Sequence, residues 1–378
     1  MKLENLPTPC LLIDSAKFES NLRRMAEQVQ RFGTAFRLHV KTSKSLEAVR
    51  AAVPPGPEAR IMVSTLAEAS FFFSNGFRDI TYGVGIAPQK LAAAADLIAA
   101  GADLKLLLDS PEMARAVARC GRERGLTLPA FIEIDTDGHR SGLLPDDPRL
   151  VEVARILYEE SGASLAGVLT HAGASYDSTS VEGIRDVAEC ERRGIVQAAT
   201  VLRDAGMVCP EVSVGSTPTV LFAQNLDGVT EVRAGVYVFQ DLVMAGLGVC
   251  NVSEIALSVL ATVIGHQRAR NWIICDVGWM ALSRDRGTQR QRIDQGYGVV
   301  LDAAGDVCDD LIVVSANQEH GVIAARGGGS VPFERYPVGT RIRILPNHAC
   351  ATAAQHGRYY VLDRDSNVVA TWPRIAGW

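Results

Sequence analysis

The sequence predicts an α/β protein, an N-terminal (β/α)8 barrel of the TIM type followed by a β-rich domain. Three observations carry that prediction. Short β-branched or aliphatic runs alternate with segments of helical period through the first two thirds of the 378 residues, the pattern of a parallel sheet covered by helices. Eight strand–helix units fit into about 200 residues, a count that favours a closed barrel over an open doubly wound sheet. From about residue 248 the helical period gives way to strand-like runs separated by turn residues.

In chain order, an opening apolar run, Cys10 to Ile13, precedes a helix whose Phe18, Leu22, Met25 and Val29 form one apolar face. Barrel strands are expected near Ala35–Val40, Arg60–Ser64, Asp79–Gly83, Leu104–Leu108, Ala130–Asp135, Leu165–Thr170, Glu211–Gly215 and Thr230–Arg233. Helices are expected between them at Leu91–Ala100, Pro111–Arg124, Leu150–Glu160 and Ser180–Asp204. Later strands fall near Ile255–Ile264, Trp272–Cys275, Leu311–Ser315, Arg341–Leu345, Tyr359–Leu362 and Val368–Trp372. The expected domains are residues 14–247 for the barrel and 248–378 for the β-rich part, which residues 1–13 could join.

Composition narrows the function. Hydrophobic residues make up 47% and charged residues 21%, an ordinary globular balance. The net charge is −5, from 38 basic and 43 acidic side chains, with no basic block, so a nucleic-acid partner is not expected. Apolar stretches such as Leu91 to Ala95 are too short for a membrane span, and the N-terminus has no signal-like apolar core. A cytoplasmic protein without a membrane or nucleic-acid partner is the expectation. The eight cysteines (10, 120, 190, 209, 250, 275, 308 and 350) form no CxxC pair and read mainly as buried small hydrophobes.

Barrel enzymes place their chemistry at the C-terminal ends of strands. Alternation along Arg37, His39 and Lys41 puts all three on one face of the first barrel strand. Inside a barrel an unpaired charge is costly, and a lysine held there suits Schiff-base chemistry. Taken singly, Lys41 reads as a solvated charge, His171 as a satisfied core histidine and Arg140 as an ion-pair partner. The turn Gly215-Ser216-Thr217 leads into a short helix whose free N–H groups suit a phosphate, and Gly235 allows a second close approach. A plain turn is the alternative. His348 and Cys350 face the same way if the preceding strand stays extended, and imidazole with thiolate suits a divalent ion with open positions. Gln318-Glu319-His320-Gly321 is a further polar cluster. Ser283-Arg284-Asp285-Arg286-Gly287-Thr288 reads most simply as an exposed loop with internal ion pairs, or as a carboxylate clamp.

The motifs Arg37-x-His39-x-Lys41-Thr42-x-Lys44, Val212-x-Val214-Gly215-Ser216-Thr217-Pro218-Thr219, Glu231-x-Arg233-x-Gly235-x-Tyr237 and Pro346-Asn347-His348-x-Cys350 resemble those of one family. It is the D-serine dehydratase and D-threonine aldolase family, fold-type III pyridoxal-phosphate enzymes with an alanine-racemase-like barrel. The resemblance runs from Thr8-Pro9 to Trp378. It implies that Lys41 binds pyridoxal 5'-phosphate covalently and acts as the catalytic base. Gly215, Ser216, Thr217, Gly235 and Val236 would hold the phosphate. Arg140, His171 and Tyr176 would contact the ring or its oxygen, and His348 and Cys350 would bind one divalent ion (zinc, manganese or cobalt). A homodimer is implied as well. The implied reaction is dehydration of a D-3-hydroxy amino acid, D-threo-3-hydroxyaspartate or D-serine, to a 2-oxo acid and ammonia. Retro-aldol cleavage to glycine and an aldehyde, racemisation with Tyr176 or His171 as second base, and non-catalytic cofactor binding are the alternatives. The family's aldolase branch tends to carry a carboxylate where Cys350 stands. Leu38 stands where many relatives have proline, and Ser43 where other branches have histidine.

Overall fold

The computed structural model describes residues 2–378, with the side chains of all of these but Pro57, Cys308 and Asp309. The chain divides into two compact units. One holds residues 25–235 together with the last three residues; the other joins the residues up to Arg24 to Val236–Ile375.

Strand β1 (Cys10–Asp14) and helix α1 (Ser15–Phe32) open the chain. The barrel follows, with strands β2 (Ala35–His39), β3 (Arg60–Val63), β4 (Asp79–Tyr82), β5 (Asp103–Leu108), β6 (Leu128–Ile134), β7 (Ala163–Thr170), β8 (Glu211–Val214) and β9 (Glu231–Ala234). Each pairs in parallel with the next, and β2 closes on β9 through registers such as Arg37 with Arg233. Every one of the eight expected strands is there, with ends within two residues of the expected ones. The helices are α2 (Leu46–Ala52), α3 (Leu66–Ser74), α4 (Leu91–Ala99), α5 (Pro111–Arg124), α6 (Arg149–Glu159), α7 (Val181–Asp204) and α8 (Thr217–Phe222). Their starts follow local rules. Ser110 accepts the N–H of Met113 with Pro111 in the first turn, and Ser180 accepts that of Gly183. Helix α5 stops at Gly125, whose left-handed backbone (φ 65°) suits glycine.

The barrel interior is part apolar and part ionic. Met62, Leu107, Phe131, Ala166 and Leu169 form one buried cluster. Arg37, fully buried, lies 2.9 Å from Glu231 and 2.6 Å from Asp79, and Lys105 is 3.0 Å from the same Asp79.

The second unit is antiparallel except for one pairing. After α9 (Leu242–Gly246) come β10 (Leu257–Gln267), β11 (Trp272–Cys275), α10 (Trp279–Leu282), β12 (Val299–Leu301), β13 (Val307–Ala316), β14 (Gly321–Ala325), β15 (Arg341–Leu345), α11 (Ala349–Ala353), β16 (Arg358–Leu362) and β17 (Val368–Pro373). The order β11-β14-β13-β12-β15-β10, with β10 also pairing β11, closes a small barrel. Strand β1 extends it from β10 and pairs in parallel with β16, which carries β17. Closure removes exposed strand edges within that ring. Among the described residues no helix is long and apolar enough to cross a membrane.

Candidate active site

The rim at the C-terminal ends of the large barrel gathers most of the polar residues singled out in the sequence. Strand β2 ends at His39, whose Nδ1 accepts the Lys41 N–H at 3.4 Å. Lys41 stands beyond the strand, in the turn of residues 40–43, and is exposed. The expectation that it shares the buried inward face with Arg37 is therefore corrected, because β2 gives out two residues before it. The turn is tied down nearby, with the Lys44 N–H on Val40 O at 2.8 Å and the Lys44 ammonium 2.9 Å from the buried Glu68.

His171, at the end of β7, bonds Gly215 O through Nδ1 at 2.9 Å, so that nitrogen is the donor and Nε2 keeps its lone pair. Burial, with Lys41, Arg140 and Arg233 adding repulsion, brings this imidazole down to about 3. Burial likewise holds His39 well below the ordinary histidine value, with Lys41, Arg233 and His171 acting in the same sense. Both rings are neutral at physiological pH. The Tyr176 ring lies 6.2 Å from that of His171. Arg140 is exposed and 3.7 Å from the buried Glu133. Burial is also what raises the Glu133 carboxyl.

The phosphate-type turns differ from the expectation in one respect. The Gly215 N–H donates to Glu191 at 2.9 Å, and the Ser216 N–H to Thr219 Oγ1 at 3.0 Å, because Ser216 and Thr219 close a capping box on α8. Neither N–H is free, so these residues offer close approach more than open donors. That approach needs glycine. Gly215 has φ 139°, and a Cβ there would lie 2.2 Å from Arg233 O; a Cβ on Gly235 would lie 2.9 Å from His39 O. Val236 follows and is buried.

Sequence reasoning placed Arg233 in a motif without giving it a role, and did not single out Glu191. Arg233 is buried, donates to Ser213 Oγ at 2.7 Å and to Thr170 O, and its charge acts on the imidazoles of His39 and His171. Glu191 on α7 accepts the N–H groups of both Ala172 and Gly215. Their partners lie on other strands, so no local pattern announces them. The exposed amine of Lys41, two neutral imidazoles, the cations Arg140 and Arg233, and two glycine-only approaches together fit an anionic aldehyde such as pyridoxal phosphate.

The second cluster lies in the other unit. His348 caps the start of α11 and Cys350 sits in its first turn, so the strand does not stay extended as expected. The two side chains meet nonetheless, within hydrogen-bond reach of each other. His348 Nδ1 is 2.6 Å from Asp285 Oδ2. Burial works against a charged ring, but Asp285 and Cys350 overcome it and hold the imidazole up to about 11. Surroundings that favour a cation on this ring also suit a metal ion, with Nε2 and the thiolate as ligands and Asp285 orienting the ring. Among the described residues no third His, Cys, Asp or Glu completes a ligand group. The segment is braced by the buried Asp241, which accepts the N–H groups of Met244 and Ala349, both at 2.9 Å. Asn347 braces it further, through Thr288 and Gly296 O. The loop of residues 283–288 is thus not held by internal ion pairs. Asp285 pairs with His348, and Arg286 pairs with Asp294 at 2.5 Å. Gln318, Glu319 and His320 form an exposed turn whose backbone carbonyls at Asn317 and Gln318 receive the N–H groups of Trp279 and Met280.

Comparison with known proteins likewise divides the chain into two parts. Residues 13–242 match the alanine racemase N-terminal domain, and residues 256–362 match a putative serine dehydratase domain. The chain is 52% identical to the D-threo-3-hydroxyaspartate dehydratase of Delftia sp. (strain HT23), covering all of this chain and 99% of that one. The solved structure of that enzyme superposes with a TM-score of 0.96 over the whole of both chains. A cysteine-to-alanine variant of it has been solved in a metal-free form. The D-serine dehydratase of Dictyostelium discoideum is 29% identical over all of this chain and 98% of its own. The chain belongs to the D-serine dehydratase and D-threonine aldolase family, fold-type III pyridoxal-phosphate enzymes with an alanine-racemase-like barrel.

Proposed function

We propose that this protein is a dehydratase dependent on pyridoxal phosphate and one divalent ion (zinc, manganese or cobalt) that converts D-threo-3-hydroxyaspartate to oxaloacetate and ammonia. A homodimer working in the cytoplasm belongs to the same reading. The observation that carries it is the 52% identity, end to end, with an enzyme of that name.

Lys41 holds the cofactor and, as a free amine, takes the proton from Cα. Ser216, Thr217, Gly235 and Val236 with Gly215 hold the phosphate, and Arg140, His171 and Tyr176 orient the ring. Because His171 spends its N–H on Gly215 O, it offers a lone pair and no charge. His348 and Cys350 hold the ion, which requires the thiol to lose its proton. When bound, the cofactor supplies an electron sink for the Cα–H pair, and the ion supplies Lewis acidity toward the departing β-hydroxyl. Loss of water leaves an enamine, whose imine tautomer hydrolyses to the 2-oxo acid and ammonia.

The test is to incubate purified protein, pyridoxal phosphate and a divalent metal with D-threo-3-hydroxyaspartate, then to quantify carbon products and ammonia together. Oxaloacetate with equal ammonia, lost on chelation and in Lys41→Ala, is expected. Glycine with glyoxylate and no ammonia would replace the reading by an aldolase.

A further inference from the structure

We infer that Arg284 receives the second carboxylate of a dicarboxylic substrate and so separates 3-hydroxyaspartate from D-serine; this rests on the function proposed above. In 3-hydroxyaspartate the leaving hydroxyl and the second carboxylate hang on the same carbon. A cation for that carboxylate must therefore sit beside whatever receives the hydroxyl, which the proposed function assigns to His348 and Cys350.

The loop of residues 283–288 is tied to the segment that carries that pair. Asp285 lies 2.6 Å from His348. Thr288 bonds Asn347, the next residue back, and Thr352 of α11 donates to Leu282 O at 2.7 Å, where the loop begins. Two arginines flank Asp285. Arg286 is committed, 2.5 Å from Asp294. Arg284 is exposed and has no carboxylate partner among the described residues. Its guanidinium lies 4.3 Å from the Trp279 ring centroid. Stacking of this kind fixes the guanidinium plane while leaving its N–H edge for a two-point grip on a carboxylate. Ser283, just before it, has φ 72°, a conformation that side-chain-bearing residues rarely adopt and that persists where surrounding contacts impose it. Here the contact is local as well: Ser283 Oγ accepts the Asp285 N–H at 3.1 Å. D-serine has no second carboxylate and would make no use of this arginine.

The test compares the holoenzyme with its Arg284→Gln and Arg284→Lys variants. Arg290→Gln, which removes an exposed charge from the same segment, is the control. One readout is kcat/KM for D-threo-3-hydroxyaspartate against D-serine. The other is the calorimetric Kd of D-aspartate, which keeps the second carboxylate but has no hydroxyl, against D-alanine. For Arg284→Gln the expectation is a loss of about 10- to 100-fold for 3-hydroxyaspartate, carried by KM, with a similar weakening of D-aspartate and about threefold or less for D-serine and D-alanine. Arg284→Lys should recover part of the loss, and Arg290→Gln should match the parent. Equal losses on both substrates, an unchanged D-aspartate Kd, or the same effect in Arg290→Gln would overturn the assignment. So would a parent enzyme that binds D-aspartate no better than D-alanine. A parent that fails to dehydrate either substrate strikes the proposed function instead, and the binding comparison then still decides the role of Arg284.

Discussion

Replacing Arg37 by methionine should cost the barrel about 3 kcal/mol, and the structure says why it is that much and not more. The guanidinium is fully buried and grips Glu231 with two parallel contacts, Nε to Oε1 and Nη2 to Oε2, both 2.9 Å. Its third nitrogen is 2.6 Å from Asp79. Removing one partner of a buried ion pair costs about 3–5 kcal/mol, because the other charge stays behind. Here the acids are not wholly stranded. Glu231 keeps Ser213 Oγ at 2.7 Å and Arg60 at 3.2 Å, and Asp79 keeps Lys105 at 3.0 Å. That places the cost at the low end of the range. The assay is urea denaturation, reading the midpoint shift at constant slope. Arg37→Met/Glu231→Gln should recover about 1–3 kcal/mol, since the stranded charge is gone. A single variant within about 1 kcal/mol of the parent, or a double variant no better than the single, would refute the reasoning. The sign of the pH effect follows too. Arg37 holds the Asp79 and Glu231 carboxyls below their ordinary range against the opposing effect of burial. Their contribution is present above the unfolded carboxylate range and fades as the pH falls through the folded one.

Two further predictions address the candidate sites. Asp285→Asn should weaken divalent-ion binding about 10- to 100-fold, read by competition with a chromogenic chelator, because Asp285 orients the His348 ring; an unchanged affinity would remove it from the site. His171, lowered from 6.5 to about 3, binds fewer protons folded than unfolded across that window. Its stabilising effect is complete above pH 6.5 and lost progressively below it, so His171→Asn should flatten the rise of the thermal midpoint between about pH 5 and 7, and a slope equal to the parent's would contradict the assignment.

The barrel was legible because its strands are short, apolar and evenly spaced, and because eight of them allow few other architectures. What the sequence hid is local weakness. Helix α2 has seven residues, and α3 carries Phe71, Phe72 and Phe73 in a row, which blurs any amphipathic face. Strand β12 has three residues, and β14 begins at a glycine. Alternation along β2 points to Lys41, although the strand ends before it. His348 and Cys350 were paired on an extended geometry that the structure replaces with a helix start. Side chains two residues apart at such a start still converge here, so the two remain within reach while the extended geometry does not hold.

The charged loop of residues 283–288 shows where local reading runs out. Arg284, Asp285 and Arg286 stand side by side, and the economical inference is that they neutralise one another. The fold gives each a different partner: Trp279, His348 and Asp294. Asp285 and His348 are 63 residues apart, so no window of sequence could join them. The outcome is physically meaningful. A loop whose charges pair among themselves is free to move as a unit and needs nothing beyond itself. One whose neighbouring charges each reach to a separate element is fixed at several points, and its geometry is set before any ligand arrives. That pre-organisation is what a carboxylate grip beside the proposed metal ligands requires, and it gives Arg284, the member with no acid of its own among the described residues, a reason to be held still.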